Sequence, residues 1–396
     1  MSEFDTLLAK YTSKENQKVP GVVAKCIDKN GKEIYSKVVG YNSSSADAGP
    51  LQENAVFKVA SATKVITSIA LLQCVDKGLI GLDEPLTHII PEMDGKEILT
   101  GMDLATIPSK TKITARHLLA LTSGIPYGFL HPYVIKWRTT PEGLKFKGSR
   151  ITHERFNVPL IFEPGEGWVY GGSLDWAGVV VRRLHDNISL EDYMIEYMWK
   201  PLGLKAPFPT FNLSSKDDEY RSRFMEASKR DAEGRLEPFE WEFGNNPVDA
   251  EGGGGLVATA QDYLAVLSDI VSDSPKLLKP ETIKEMFTPQ LAENSKAISD
   301  LMDLRPAWDN VAGSVKSDTV NHGLGGVLLQ GEAPELGQPA NLLAWGGALN
   351  TIWFASKELG VAGFFSTQVY PFGDPPVREL IDAWKKDFWS QFKANH

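Results

Sequence analysis

The period of the apolar positions changes several times along the chain, and each change predicts an element. Phe4, Leu7, Leu8 and Tyr11 recur at helical spacing, which predicts a short amphipathic opening helix. Val22–Ile27 and Glu33–Val39 are instead β-rich runs, and they flank Asp28-Lys29-Asn30-Gly31, an Asn-Gly turn that predicts a hairpin. A Ser/Ala/Gly-rich loop follows Gly40, and Phe57–Ile66 then opens a strongly apolar helix expected to reach Gly78. Thr114–Leu119 opens a further helix, expected to end near Ser123-Gly124, and Ser173–Leu184 is another, with Asp175 in its first turn. Ser189–Asp192 and Thr259–Asp262 are capping-box-like starts with Asp in place of the usual Glu. Between them, Ser214–Glu251 is polar and irregular; such a segment either lines a site or is a surface excursion.

Strand character returns near the C-terminus. Gly323–Leu329, Asn341–Trp345, Thr351–Ala355 and Val361–Ser366 read as successive antiparallel strands. Val377, Leu380, Ile381, Trp384 and Phe388 then form one stripe of a closing helix. Strands at both ends with helices between them predict an α+β fold with an antiparallel sheet flanked by the terminal helices. Residues 1–60 and 320–396 would form a discontinuous sheet domain, residues 61–319 a mostly helical inserted domain, with the active site in the cleft between them.

Composition narrows the function. A chain of 396 residues has room for a substantial core, and a formal charge of −10 argues against a nucleic-acid partner. No run is long and apolar enough to span a membrane, and the acidic start Met1–Asp5 lacks the order of a secretory signal, so a cytoplasmic enzyme is expected. The only cysteines, Cys26 and Cys74, fit buried structural thiols better than a disulfide. The seven histidines contain no tight pair, and Gly252–Gly255 lacks the lysine of a phosphate loop, so neither a metal nor a cofactor is expected. The glycine run is better explained by close backbone packing near a cleft.

The candidate chemistry begins at Ser61 and Lys64, an S-x-x-K pair at a helix head. Residues three apart share a helix face, and the helix N-terminus favours developing negative charge. Serine needs a neighbouring base to become a nucleophile, and a lysine shielded from water can supply one. On its own the pair is better read as a helix cap beside a solvated lysine. Three further stretches give it context: Phe162–Ser173, in which a proline-glycine loop delivers Tyr170 ahead of a helix; Gly252–Leu256; and Trp345-Gly346-Gly347-Ala348 at a strand end.

In this order, together with Thr114–Gly124, these motifs resemble the serine β-lactamase-like hydrolases, in their class C and esterase branch, over nearly the whole chain. Ala60–Lys64, Phe129–Pro132 and Ser173–Gly178 are similar to the fungal statin transesterases and esterases within it. The resemblance implies a β-lactamase/transpeptidase-like fold. It also implies Ser61 as nucleophile, Lys64 as its base and Tyr170 as proton shuttle, with the backbone N–H groups of Ser61 and Ala348 as the oxyanion hole. Two departures stand out. Trp345-Gly346-Gly347 replaces Lys-Thr-Gly, and Gly172 replaces the asparagine of Tyr-x-Asn. Both point from lactams toward esters, and the expected partner is a small-molecule ester with a bulky apolar group, such as a statin-type polyketide ester. The leading expectation is hydrolysis through an acyl-enzyme on Ser61, with acyl transfer to a polyketide alcohol as the alternative.

Substrate binding is expected from Trp345, Gly346, Gly347 and Tyr127, with Phe129, Trp168, Trp241 and Phe243 as further candidate walls. His117, on an amphipathic helix, reads as structural, and His322 as a turn residue. No G-x-S-x-G elbow occurs, which weighs against an ordinary α/β-hydrolase.

Overall fold

A computed structural model describes residues 2–146, 148–241 and 247–395. The predicted hairpin forms as Gly21–Asp28 and Glu33–Gly40. It joins the C-terminal strands through Val361–Ser366, with Val23 opposite Ser366 and Asp28 opposite Val361. The resulting seven-stranded antiparallel sheet runs Glu33–Gly40, Gly21–Asp28, Val361–Ser366, Thr351–Ser356, Leu342–Gly347, Val327–Leu329, Val320–His322. This is the β-lactamase/transpeptidase-like α+β architecture.

Successive side chains of a strand point to opposite faces, and the sheet uses both. Phe365 meets Trp384 of the closing helix Pro375–Asn395, with ring centroids 5.6 Å apart, while Phe364 meets Tyr263 and Phe57 on the other side at 5.2 and 6.0 Å. All five residues of the predicted stripe on the closing helix are buried. The opening helix Glu3–Thr12 lies beside it and is tied by Tyr11 to Glu379. The opposite face is covered by Ala260–Val271, a helix from the middle of the chain. Its start is the expected capping box: Thr259 Oγ1 accepts from Asp262 N at 3.0 Å, and the Asp262 carboxylate accepts from Thr259 N at 3.4 Å.

The helix Thr63–Asp76 is buried on every side from Thr63 to Cys74, which explains why it carries a single charged residue, Lys64, before Asp76. It packs against Ser173–Arg183. Cys26 and Cys74 are buried free thiols.

Some elements differ from expectation. The Thr114 helix is only Ala115–Leu119, because Leu121 adopts φ +59° and turns the chain away. Ser214–Glu251 contains two short strands, Ser228–Arg230 and Leu236–Pro238, paired beside Val369–Tyr370. His322 is no turn residue: it belongs to the edge strand Val320–His322, whose three residues are too few to show a period. Among the described residues no helix is long and apolar enough to cross a membrane. Phe243 lies outside the described residues.

Candidate active site

The nucleophile region is delivered by a short strand and one turn. Val56–Lys58 pairs antiparallel with Val257–Thr259, Ala60–Ala62 makes a single 3-10 turn, and the helix begins at Thr63. Phe57 is therefore a strand residue, and Ser61 precedes the helix instead of lying in its first turn. Ala60 holds φ +46°, a left-handed conformation that a residue with a Cβ adopts only under constraint. Part of that constraint is the strand Leu342–Gly347, which presses on the turn: a Cβ at Gly347 would lie 2.2 Å from the Val59 carbonyl oxygen. The second glycine of Trp345-Gly346-Gly347 is thus what lets the sheet edge touch the turn.

Three of the expected residues converge. Tyr170 OH donates to Ser61 Oγ at 2.5 Å, and Lys64 Nζ reaches the same oxygen at 3.4 Å. Lys64 is buried, with Nζ donating also to the Gly253 carbonyl at 2.6 Å and to Tyr127 OH at 2.9 Å. The loop that carries Tyr170 is pinned by its glycines. A Cβ at Gly171 would sit 1.9 Å from the Ile125 carbonyl oxygen, and one at Gly172 would meet the Phe156 ring at 2.8 Å. An asparagine at position 172 would displace the Phe156 ring, and here Tyr127 OH supplies a polar partner to the lysine in addition to Ser61.

A buried acidic group lies behind these residues. Asp175, 1% exposed in the first turn of Ser173–Arg183, accepts from Gly253 N through Oδ1 at 2.9 Å. Its Oδ2 accepts from Tyr127 OH at 3.4 Å. Burial, and then repulsion from Glu251, push the Asp175 carboxyl up to about 7, opposed by Lys64, the Gly253 N–H and Arg155. Glu251 is itself raised by burial and is paired with Arg155 at 2.5 Å. The Tyr127 phenol is held far above its ordinary value by burial, with the Asp175 charge adding to it.

The glycine run is close backbone packing. Thr67 Oγ1 donates to the Gly252 carbonyl at 2.7 Å, and a Cβ at Gly253 would fall 2.4 Å from Asp175 Oδ2 and 2.7 Å from Tyr127 OH.

A cavity of about 270 Å³ opens over Ser61. One wall is Tyr127, Phe129 and Phe156, another is Trp345, Tyr370 and Phe372. Trp308 and Trp241 close it further, and Gly346, Gly347 and Ala348 lie along the sheet edge. Among the expected walls, Trp168 is not at the cavity; it is buried with its ring 5.9 Å from His322. His322 is sealed in the core with Nδ1 2.6 Å from the Gly323 carbonyl, and burial lowers it to about 4, so it stays neutral. His117 is structural: its Nδ1 accepts from Thr114 N at 3.3 Å in a helix cap. Asp175 and Glu251 are the site-forming residues that motif spacing did not single out. The available signal was an ionisable residue within the apolar run Leu174-Asp175-Trp176-Ala177.

The chain has relatives among known proteins. The chain is 54% identical to an acyltransferase of Penicillium decumbens, calJ, over 100% of this chain and 99% of that protein. It is 32% identical to a lovastatin esterase of Penicillium rubens, over 95% of this chain and 96% of that protein. Simvastatin synthase (LovD) of Aspergillus terreus superposes with a TM-score of 0.87 at 28% identity, covering 98% of each chain. The Beta-lactamase family profile matches residues 4–382, and the chain therefore belongs to the β-lactamase family, with fungal acyltransferases and a lovastatin esterase among its relatives.

Proposed function

We propose that this enzyme is a serine acyltransferase that moves an acyl group from a thioester or ester onto the hydroxyl of a bulky, largely apolar alcohol of the polyketide type. The observation that carries the reading is the Ser61–Lys64–Tyr170 contact set at the floor of an aromatic-walled cavity. Lys64 takes the Ser61 proton as Oγ bonds to the acyl carbon, and the bond from that carbon to the donor's sulfur or oxygen breaks. Tyr170 passes a proton to the leaving atom, so the proton Lys64 gained is finally carried off by the leaving group. The acceptor hydroxyl then repeats the sequence in reverse and frees Ser61. The Ser61 and Ala348 amides serve as oxyanion donors in this scheme, and removing one such donor typically costs about 3 kcal/mol of barrier lowering.

Transfer moves ahead of the hydrolysis first expected, because the relatives at high coverage include acyltransferases and because apolar walls favour a bulky alcohol over water in the second step. Hydrolysis is the competing fate of the same acyl-enzyme, as the esterase relative illustrates. The test is a thioester donor incubated with and without a decalin alcohol. Ester product in the first tube, and a mass increment on Ser61 that disappears in Ser61→Ala, are the expected results. Free acid as the dominant product in both tubes rejects transfer.

A further inference from the structure

We propose that Asp175 and Tyr127 are positioning residues that hold the Lys64 amine on Ser61. The proposal rests on the acyl-enzyme reading above and deepens it.

Four groups close a ring. Lys64 Nζ donates to the Gly253 carbonyl and to Tyr127 OH, at 2.6 and 2.9 Å. Asp175 accepts from the N–H of Gly253 and from the phenol of Tyr127, at 2.9 and 3.4 Å. One carboxylate therefore ties both partners that fix the lysine, and it reaches the amine only through them. The two ties come from separate parts of the chain: Tyr127 from the loop before the helix Pro132–Trp137, Gly253 from the glycine turn. Without Asp175 each would be set by its own loop alone.

The ring is closely packed. A side chain at Gly253 would strike both Asp175 and Tyr127. The Tyr127 ring stacks on Phe129 at 5.1 Å and meets Tyr170 edge-on at 5.4 Å, so its position is fixed by packing as well as by its hydroxyl.

The charge balance gives the ring a second effect. The charged and titratable groups facing Asp175 are Lys64, Glu251, Tyr127 and Arg155, and those facing Lys64 are Tyr127, Tyr170, Asp175 and Glu251. When Lys64 takes the serine proton, the nearby carboxylate stabilises the ammonium that forms. Removing that anion disfavours the charged amine that the step forms, so acylation slows.

The test compares Asp175→Asn, Tyr127→Phe and the double variant with the wild type, using a thioester donor across pH 5 to 10. In Asp175→Asn, kcat is expected to fall about tenfold with KM unchanged above pH 8, where the wild-type carboxylate is charged, and to differ less from the wild type near pH 5, where it is neutral. Tyr127→Phe keeps the stacked ring and is expected to lower kcat with an unchanged thermal midpoint. In the double variant the losses are expected to be less than additive, because both act through one amine. Wild-type kcat in both single variants overturns the proposal. So does a loss that tracks a lowered thermal midpoint and is equal across the pH range, which marks a merely structural role. Intact mass after brief thioester exposure separates this inference from the parent reading: a wild type that never carries an acyl increment on Ser61 sinks the acyl-enzyme itself, whereas a wild type that acylates alongside unaltered ring variants sinks only the ring.

Discussion

The floor and the roof of the cavity are built on opposite principles. At the floor, Ser61, Lys64, Tyr127, Tyr170, Asp175 and Gly253 are joined by direct hydrogen bonds, and several of the glycines nearby, Gly171, Gly253 and Gly347 among them, have no room for a Cβ. The roof is made of aromatic and aliphatic side chains from loops and short turns, among them Phe129, Trp241, Trp308 and Phe372, which present apolar surface to the cavity. Directional bonds fix atoms to fractions of an ångström, which proton transfer requires. Apolar contact fixes shape and excludes water, and it tolerates exchange of one side chain for another. Chemistry and selectivity are therefore separable here, and the separation can be broken experimentally.

The largest effect belongs to the floor. Tyr170→Phe removes one oxygen, 2.5 Å from Ser61 Oγ, and leaves the ring in place. A positioned acid–base group typically contributes about 10²–10⁴ in rate, so kcat is expected to fall in that range with KM for the donor little changed. Steady-state kinetics with an activated thioester measure it. A fall of less than threefold would mean that proton transfer does not pass through this phenol.

A floor residue that touches no reacting atom comes next. In Gly171→Ala the new methyl would lie 1.9 Å from the Ile125 carbonyl oxygen, a backbone atom that cannot swing aside. Overpacking of this kind destabilises by about 1–3 kcal/mol, expected as a lowered urea midpoint. Gly254 is the control within the same site: it lines the cavity, and a Cβ there meets nothing within 4 Å. Gly254→Ala is expected to leave the midpoint unchanged.

The same division decides how much was legible in the sequence. Ser61, Lys64 and Tyr170 sit in short motifs with fixed spacing, and the sheet followed from β-rich apolar runs at both ends of the chain. The ring behind Lys64 was not legible, because Asp175, Tyr127 and Gly253 lie far apart in sequence, and although Ser173–Gly178 and Gly252–Leu256 stand out as motifs, nothing in their spacing joins them to Lys64. Tyr127 was anticipated only as an apolar wall; its hydroxyl's partner becomes visible when the lysine's position is known. Local backbone detail also escaped. The strand at Phe57 and the left-handed Ala60 arise from tertiary pressure by the Val257–Thr259 strand and Gly347, which overrides the helical pattern of Phe57–Ile66. His322 was misassigned for a related reason: a three-residue edge strand is defined by the neighbour it pairs with, Val327–Leu329, and carries too few positions to announce itself.

The roof offers the smallest and most selective effect. Phe129 is 53% exposed yet stacks on Tyr127 at the cavity wall, so half its surface is available to a substrate while the other half supports the floor. Its truncation in Phe129→Ala removes apolar contact that a bulky acceptor would bury and a small one would not. A pocket contact of this size discriminates by about 1–3 kcal/mol, an expected tenfold or greater rise in KM for a decalin alcohol. The acylation rate, read from the release of thiol in the absence of acceptor, is expected to change less than threefold, because Tyr127 is still packed by Phe156 and Tyr170 and still bonded to Lys64. If acylation collapsed together with acceptor binding, floor and roof would be one mechanical unit, with the stacked pair Tyr127–Phe129 as the joint between them.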